Sequence, residues 1–247
     1  MRVERRGQVA VLRMENGKAN AMGPAFLERL EGMIAQIGDA RSVVLTGQGS
    51  AFCAGLDLPS LVDQDRAAMH AFIRRFDALV LRVFELPQPL IAAVNGHAVA
   101  GGCVLALQAD LRIAADRDAR IGLNETQLGI GLPATVVETL RWQVPGSSLA
   151  PLTLEGRLVS PREALQLGLV HEVVPEPQLL ESCLERAEAL ARLPPAGLRM
   201  VKTSLRREAA GAVRSLEHSE SERWLDTWFA PESQARLRET VARLRKS

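Results

Sequence analysis

The sequence contains no tyrosine, four histidines and three cysteines in 247 residues, and only 4% of its residues are aromatic. Phenolic acid–base chemistry is therefore excluded, and few side chains have an ordinary pKa near neutrality. Cys53, Cys103 and Cys183 are far apart and form no CxxC pair. Such an odd, scattered set reads as reduced thiols in a reducing, cytoplasmic setting, not as a disulfide frame. There is no HExxH segment and no His/Cys cluster to hold a metal. There is also no GK[ST] phosphate loop and no GxSxG nucleophile elbow. No apolar run approaches the ~20 residues that a membrane span requires. The N-terminal segment MRVERRGQVAVLRME alternates like a strand and lacks the apolar centre of a secretory signal. Neither charge sign dominates: 30 basic against 29 acidic residues give a net charge of +1. A nucleic-acid partner would call for a basic surface that this balance does not supply. Lysine occurs only at 18, 202 and 246, so the positive charge is nearly all arginine, a bias that fits a GC-rich bacterial genome.

The 47% hydrophobic residues are enough for a sizeable core. Val3–Arg6 and Gln8–Met14 alternate about Gly7 and predict a strand pair. Pro24 opens a helix whose apolar positions run from Phe26 to Ile37. Ser42–Thr46 (SVVLT), Leu90–Val94 and Leu111–Ala115 read as strands covered on both sides. Between them, Phe72 to Val83 mark a helix that must stop before Pro87, and Gly102–Gln108 marks a short one. Ser160, Pro161 and Glu163 form a capping-box start for another helix, which Gly168 ends. Leu169–Val174 is strand-like, and the chain is helical from Gln178 on, with breaks expected at Pro194–Pro195 and at Gly211. The pattern predicts an α/β core over 1–190 and a helical C-terminal region over 191–247.

Two glycine-bearing loops follow buried strands: GQGSAFCAGLDL (47–58) and NGHAVAGG (95–102). The first fails as a dinucleotide fingerprint, because Phe52 stands where the third glycine is needed. Both could be plain tight turns. Their recurrence points further, because loops at the ends of parallel strands can aim backbone amides into one crevice. Two such amides would stabilise a developing enolate oxygen. Ala54, Gly55, Gly101 and Gly102 are small enough for a ligand to approach the backbone closely. In IGLNETQLGIGLP (121–133), Glu125 is flanked by Ile121, Leu123, Leu128 and Ile130. A carboxylate in an apolar pocket gains a raised pKa and suits a general base near neutral pH; otherwise it is an ordinary surface or helix-start glutamate.

The segments AFCAGLDL (51–58), AAVNGHAVAGGCVLALQADLRIAAD (92–116) and IGLNETQLGI (121–130) resemble the crotonase, or enoyl-CoA hydratase/isomerase, superfamily. The wording of AGLDL and GLNETQLGI is most like its mitochondrial-type Δ3,Δ2-enoyl-CoA isomerase branch. The resemblance implies a crotonase-like β-β-α spiral core and a helical C-terminal trimerisation region. The assembly it implies is a homotrimer or a dimer of trimers. It implies that the amides of Leu56 and Gly101 form an oxyanion hole, with Ala100 replacing the first glycine of the turn. Of the two glutamates of hydratases, one position is Val104 here and the other is Glu125, which implies a single catalytic carboxylate. The implied substrate is an acyl-CoA thioester bound along Ala54, Leu56, Gly101 and Val104, its adenine over the 51–58 loop. No cofactor is expected beyond the coenzyme A of the substrate.

Other residues have plainer readings. His97 reads as a hydrogen-bonded structural histidine, Cys53 and Cys103 as small hydrophobes, and Asp110 as an anchor of its turn. Arg236, Arg238, Arg243 and Arg245 either meet coenzyme A phosphates or form a solvated helix face. Trp224, Trp228 and Phe229 either anchor subunit contacts or pack on their own core. Three functions stay open: 3-enoyl-CoA isomerisation in fatty-acid oxidation, another crotonase reaction such as weak hydration or thioester cleavage, and non-catalytic binding of acyl-CoA or RNA.

Overall fold

The computed structural model describes residues 1–245, except the side chains of Glu217 and His218; Lys246 and Ser247, at the end of the expected C-terminal region, lie outside the described residues. The chain begins with β1 (Arg2–Arg6) and β2 (Val9–Arg13), paired antiparallel, and α1 (Pro24–Ala35), which has Pro24 in its first turn. It then runs through β3 (Ser42–Thr46), β4 (Ala51–Cys53), α2 (Leu58–Leu61), α3 (Arg66–Phe84), β5 (Leu90–Val94), β6 (His97–Val99) and α4 (Gly101–Leu107). After β7 (Leu111–Asp116) and β8 (Ile121–Gly122), Glu125–Leu128 makes a 3₁₀ turn before α5 (Ala134–Gln143) and α6 (Gly146–Thr153). The remainder is β9 (Leu158–Val159), α7 (Pro161–Gln166), β10 (Glu172–Pro175), α8 (Leu179–Ala191), α9 (Pro195–Trp228) and α10 (Pro231–Leu244).

Two sheets result. The larger has the order β1-β2-β3-β5-β7-β10, parallel from β2 onward; the smaller has the order β4-β6-β8-β9. Consecutive ββα units (β3-β4, β5-β6, β7-β8) each give one strand to each sheet, which is the β-β-α spiral of a crotonase fold. The period of two in the strands explains the layering. Ala10, Leu12, Val43, Leu45, Ala92 and Val94 enter the main core, while Val9, Val11, Val44, Ile91, Ala93 and Ile113 pack under Leu179, Cys183 and Ala187 of α8.

Three local expectations change. The segments 47–58 and 95–102 are not loops throughout, because each contains a three-residue strand, β4 or β6, too short to show a period. The strand expected over Leu169–Val174 begins only at Glu172. The amides of Leu169 and Val170 instead donate to Ala164 O at 2.8 and 3.3 Å and close the end of α7. The capping box at Ser160 and Glu163 is present, and Gly168 takes φ +77 beyond the helix. Gly211 does not break α9. A helical glycine costs about 1 kcal/mol against alanine, but Ala209, Ala210 and Val213 beside it are buried, and α9 packs along α3 and α5. Tertiary burial outweighs the local penalty.

Candidate active site

The loops leaving β4, β6 and β8 lie side by side, because these three strands are parallel neighbours in the smaller sheet. Loop ends at the carboxyl edge of parallel strands form a ready crevice. Ala54–Asp57 follows β4, Ala100–Gly102 follows β6, and Asn124–Glu125 follows β8. The first two touch through glycine. Gly55 takes φ +87, and a Cβ on it would meet Val99 O at 2.8 Å and Ala100 Cβ at 2.9 Å.

A cavity of about 450 Å³ opens there, lined by Ala54, Leu56, Gly101, Val104 and Glu125 among others. All the expected site residues thus come together. Ala54 is exposed at the mouth with its amide donating to Ala19 O at 3.0 Å, and Val104 is fully buried. Among the described residues, neither the Leu56 nor the Gly101 amide donates to a protein acceptor, whereas the adjacent amides of Asp57 and Ala100 donate to Met22 O and Gly122 O. Met22 N donates to Gly55 O at 2.8 Å and Asp57 N to Met22 O at 3.0 Å, so Leu56 is held on both sides. Gly101 begins α4, where the first amides have no intrahelical partner and the helix dipole is positive.

Glu125 is 8% exposed, and its Oε2 has no hydrogen-bond partner among the described residues. Ile121, Leu123 and Ile130 around it are all buried. Burial pushes its carboxyl up to about 7, with its own backbone N–H pulling weakly the other way. A group so poised can accept and return a proton at neutral pH. Burial pushes the thiols of Cys53 and Cys103 up to about 12, so both stay protonated.

The structure gives most of the residues with plainer readings a local partner. His97 Nδ1 accepts from Arg120 N at 3.1 Å and ties β6 to the turn before β8. Asp110 accepts from Leu90 N at 2.7 Å and pairs with Lys202 and Arg206, each at 2.6 Å. Arg238 pairs with Asp63 at 2.5 Å and Arg236 donates to Gln127 O at 3.3 Å, while Arg243 reaches the cavity rim. Trp224 and Trp228 pack on their own core, stacked with centroids 5.2 Å apart.

Two asparagines at or around the cavity escaped the sequence reading, as did the place of Trp224 in its wall. Asn20, fully buried at φ +51, donates from Nδ2 to Met14 O and Phe52 O at 3.1 Å and accepts from Asn16 N at 2.7 Å. It braces the strand that delivers Ala54, and its only local signal is that asparagine tolerates positive φ. Asn124 lines the cavity with a buried Oδ1 that has no hydrogen-bond partner among the described residues. Trp224 lines it from α9, a contact that no local pattern announces.

Comparison with known proteins agrees with this geometry. A putative enoyl-CoA hydratase of Thermus thermophilus is 38% identical over 209 residues, covering 81% of each chain. The human mitochondrial enoyl-CoA delta isomerase 1 is 34% identical over 211 residues, covering 83% of this chain and 70% of that one. The crystal structure of human mitochondrial delta3-delta2-enoyl-CoA isomerase superposes with a TM-score of 0.94 at 30% identity, over 99% of this chain and 97% of that one. The profile of the Enoyl-CoA hydratase/isomerase family matches residues 4–238. With a crotonase spiral, two glycine loops meeting at one cavity and a buried glutamate facing it, the chain belongs to the enoyl-CoA hydratase/isomerase family.

Proposed function

We propose that the protein converts 3-enoyl-CoA to 2-trans-enoyl-CoA. The observation that carries this reading is the pairing, in one cavity, of a buried Glu125, whose Oε2 has no hydrogen-bond partner among the described residues, with an apolar Val104. A hydratase of this family uses a carboxylate at both positions to hold and deprotonate water, and a valine can do neither.

The thioester carbonyl oxygen accepts hydrogen bonds from the Leu56 and Gly101 amides. Glu125 removes a C2 proton, and the resulting dienolate charge rests largely on that oxygen. The same carboxyl returns the proton at C4, which moves the double bond into conjugation with the carbonyl. The proton is shuttled and no net acid, base or separate cofactor is consumed. Pre-oriented amide donors in a desolvated site are each worth about 2.7–4 kcal/mol in comparable enzymes. This chemistry is the step that unsaturated fatty acids with a 3,4 double bond need during their oxidation, the role proposed for the protein.

Incubating the protein separately with 3-enoyl-CoA and 2-enoyl-CoA, and identifying each product, tests the reading. The expected product is 2-trans-enoyl-CoA from the first and essentially no 3-hydroxyacyl-CoA from the second. Rapid hydration of 2-enoyl-CoA would assign the protein to the hydratases instead.

A further inference from the structure

The cavity that holds Glu125 changes character across its width. Exposed or half-buried Ala54, Asp57 and Gln127 stand at its mouth. Its inner wall is hydrocarbon from three helices: Ile73 and Phe76 on α3, Val136 on α5 and Trp224 on α9, all at 4% exposure or less. Water is held poorly by such a wall, where the Trp224 indole N–H is the single hydrogen-bonding group among these four side chains, whereas an alkyl chain fits it. Trp224 is the largest of these groups and the least able to yield. Its ring stacks on Trp228, which is fully buried, and Leu225 beside it is fully buried too. In an interior packed to crystal-like density, a ring backed in this way has nowhere to go.

We propose that Trp224 is the stop of an acyl-chain pocket and that it restricts the protein to medium-chain acyl thioesters. The inference rests on the acyl-thioester reading above. A cavity of about 450 Å³ lies toward the small end of ligand pockets, ~300–1,000 Å³, and the thioester and the near end of pantetheine must share it, which leaves an acyl space too short for a long chain. Each methylene buried before the stop tightens binding about fourfold, and those beyond it add nothing. Trp224 and Glu125 belong to one chain, so this selection needs no residue from a neighbour.

The test is calorimetric titration of the full chain with saturated butanoyl-, octanoyl-, dodecanoyl- and tetradecanoyl-CoA, none of which can isomerise. Affinity should climb about fourfold per methylene and then break between octanoyl and dodecanoyl. Trp224→Phe should move the break to longer chains, and Trp224→Ala further still. Should the alanine variant fail to fold, the wild-type series and the phenylalanine variant still decide the matter. An unbroken climb to tetradecanoyl, or a break that Trp224→Phe leaves in place, overturns the proposal. A break that moves as expected in a protein without isomerase turnover overturns the isomerase reading and leaves the stop standing.

Discussion

Gly102 lies so close to the backbone of Cys53 that a Cβ on it would sit 1.9 Å from the Cys53 carbonyl oxygen. This contact locks the start of α4 against β4 and so fixes the two glycine loops relative to each other. Gly101 is less confined: its Cβ would meet the flexible Met22 Sδ at 3.2 Å and Gly55 Cα at 3.5 Å. Gly102→Ala should therefore cost about 3 kcal/mol or more, as overpacking against backbone does. Gly101→Ala should cost about 1 kcal/mol. Urea denaturation of both variants measures the difference, and equal losses would contradict this account of the loop junction.

Ala100 takes φ +50 and ψ −123, a conformation that favours glycine. Holding a non-glycine residue there costs about 1–3 kcal/mol. The entropy that glycine adds to the unfolded chain offsets about 0.4–1 kcal/mol of any relief. Ala100→Gly should raise stability by about 1 kcal/mol and Tm by about 2–4 °C. A lower Tm would show that the methyl group, which also lines the cavity, contributes more in packing than it costs in strain.

The carboxyl of Glu125 makes stability depend on pH. Its folded-state value of about 7 stands above the ordinary 4.5, so between these values the folded chain binds more protons than the unfolded one. Stability must then fall as pH rises through that window and level off above it. The full contribution is about 3 kcal/mol at 1.36 kcal/mol per unit. Glu125→Gln should remove this slope and be the more stable protein at pH 8. Denaturation midpoints of the two proteins between pH 5 and 8 give the comparison, and parallel curves would contradict the burial argument.

The strands Ser42–Thr46 and Leu90–Val94 were fully legible, because a run of β-branched and apolar residues between turn signals has few other uses. Glu125 was legible because Leu128 and Ile130, its apolar neighbours in sequence, line the same cavity, while Ile121 and Leu123 are buried. What stayed hidden was non-local. Three residues of β4 or β6 carry no period and become strands only by pairing within the smaller sheet. Gly211 reads as a break until α3 and α5 are laid along α9. Trp224 is helix-face patterning in sequence and cavity wall in the fold, and nothing short of the packed structure connects it to Glu125.

Val104→Glu would place a second carboxylate in the same cavity. It replaces a side chain only 1% exposed, so a loss of stability of several kcal/mol is expected for an unpaired charge. The two carboxyls should share a proton near neutrality, since like charges at close range push one pKa upward. A gain of trace hydration of 2-enoyl-CoA should accompany it, measured as formation of 3-hydroxyacyl-CoA. A folded variant that hydrates no faster than wild type would show that a second carboxylate alone does not confer the activity.

The central claim is that one carboxyl carries the proton, and the initial rate of 3-enoyl-CoA isomerisation by Glu125→Gln tests it most directly. Glutamine keeps the shape of the side chain and removes the base, while the Leu56 and Gly101 amides are untouched. The account predicts a fall of about 10²–10⁴-fold or more, with acyl-CoA binding retained. A rate within a factor of about three of wild type, far short of that acid–base range, would contradict the one-base mechanism.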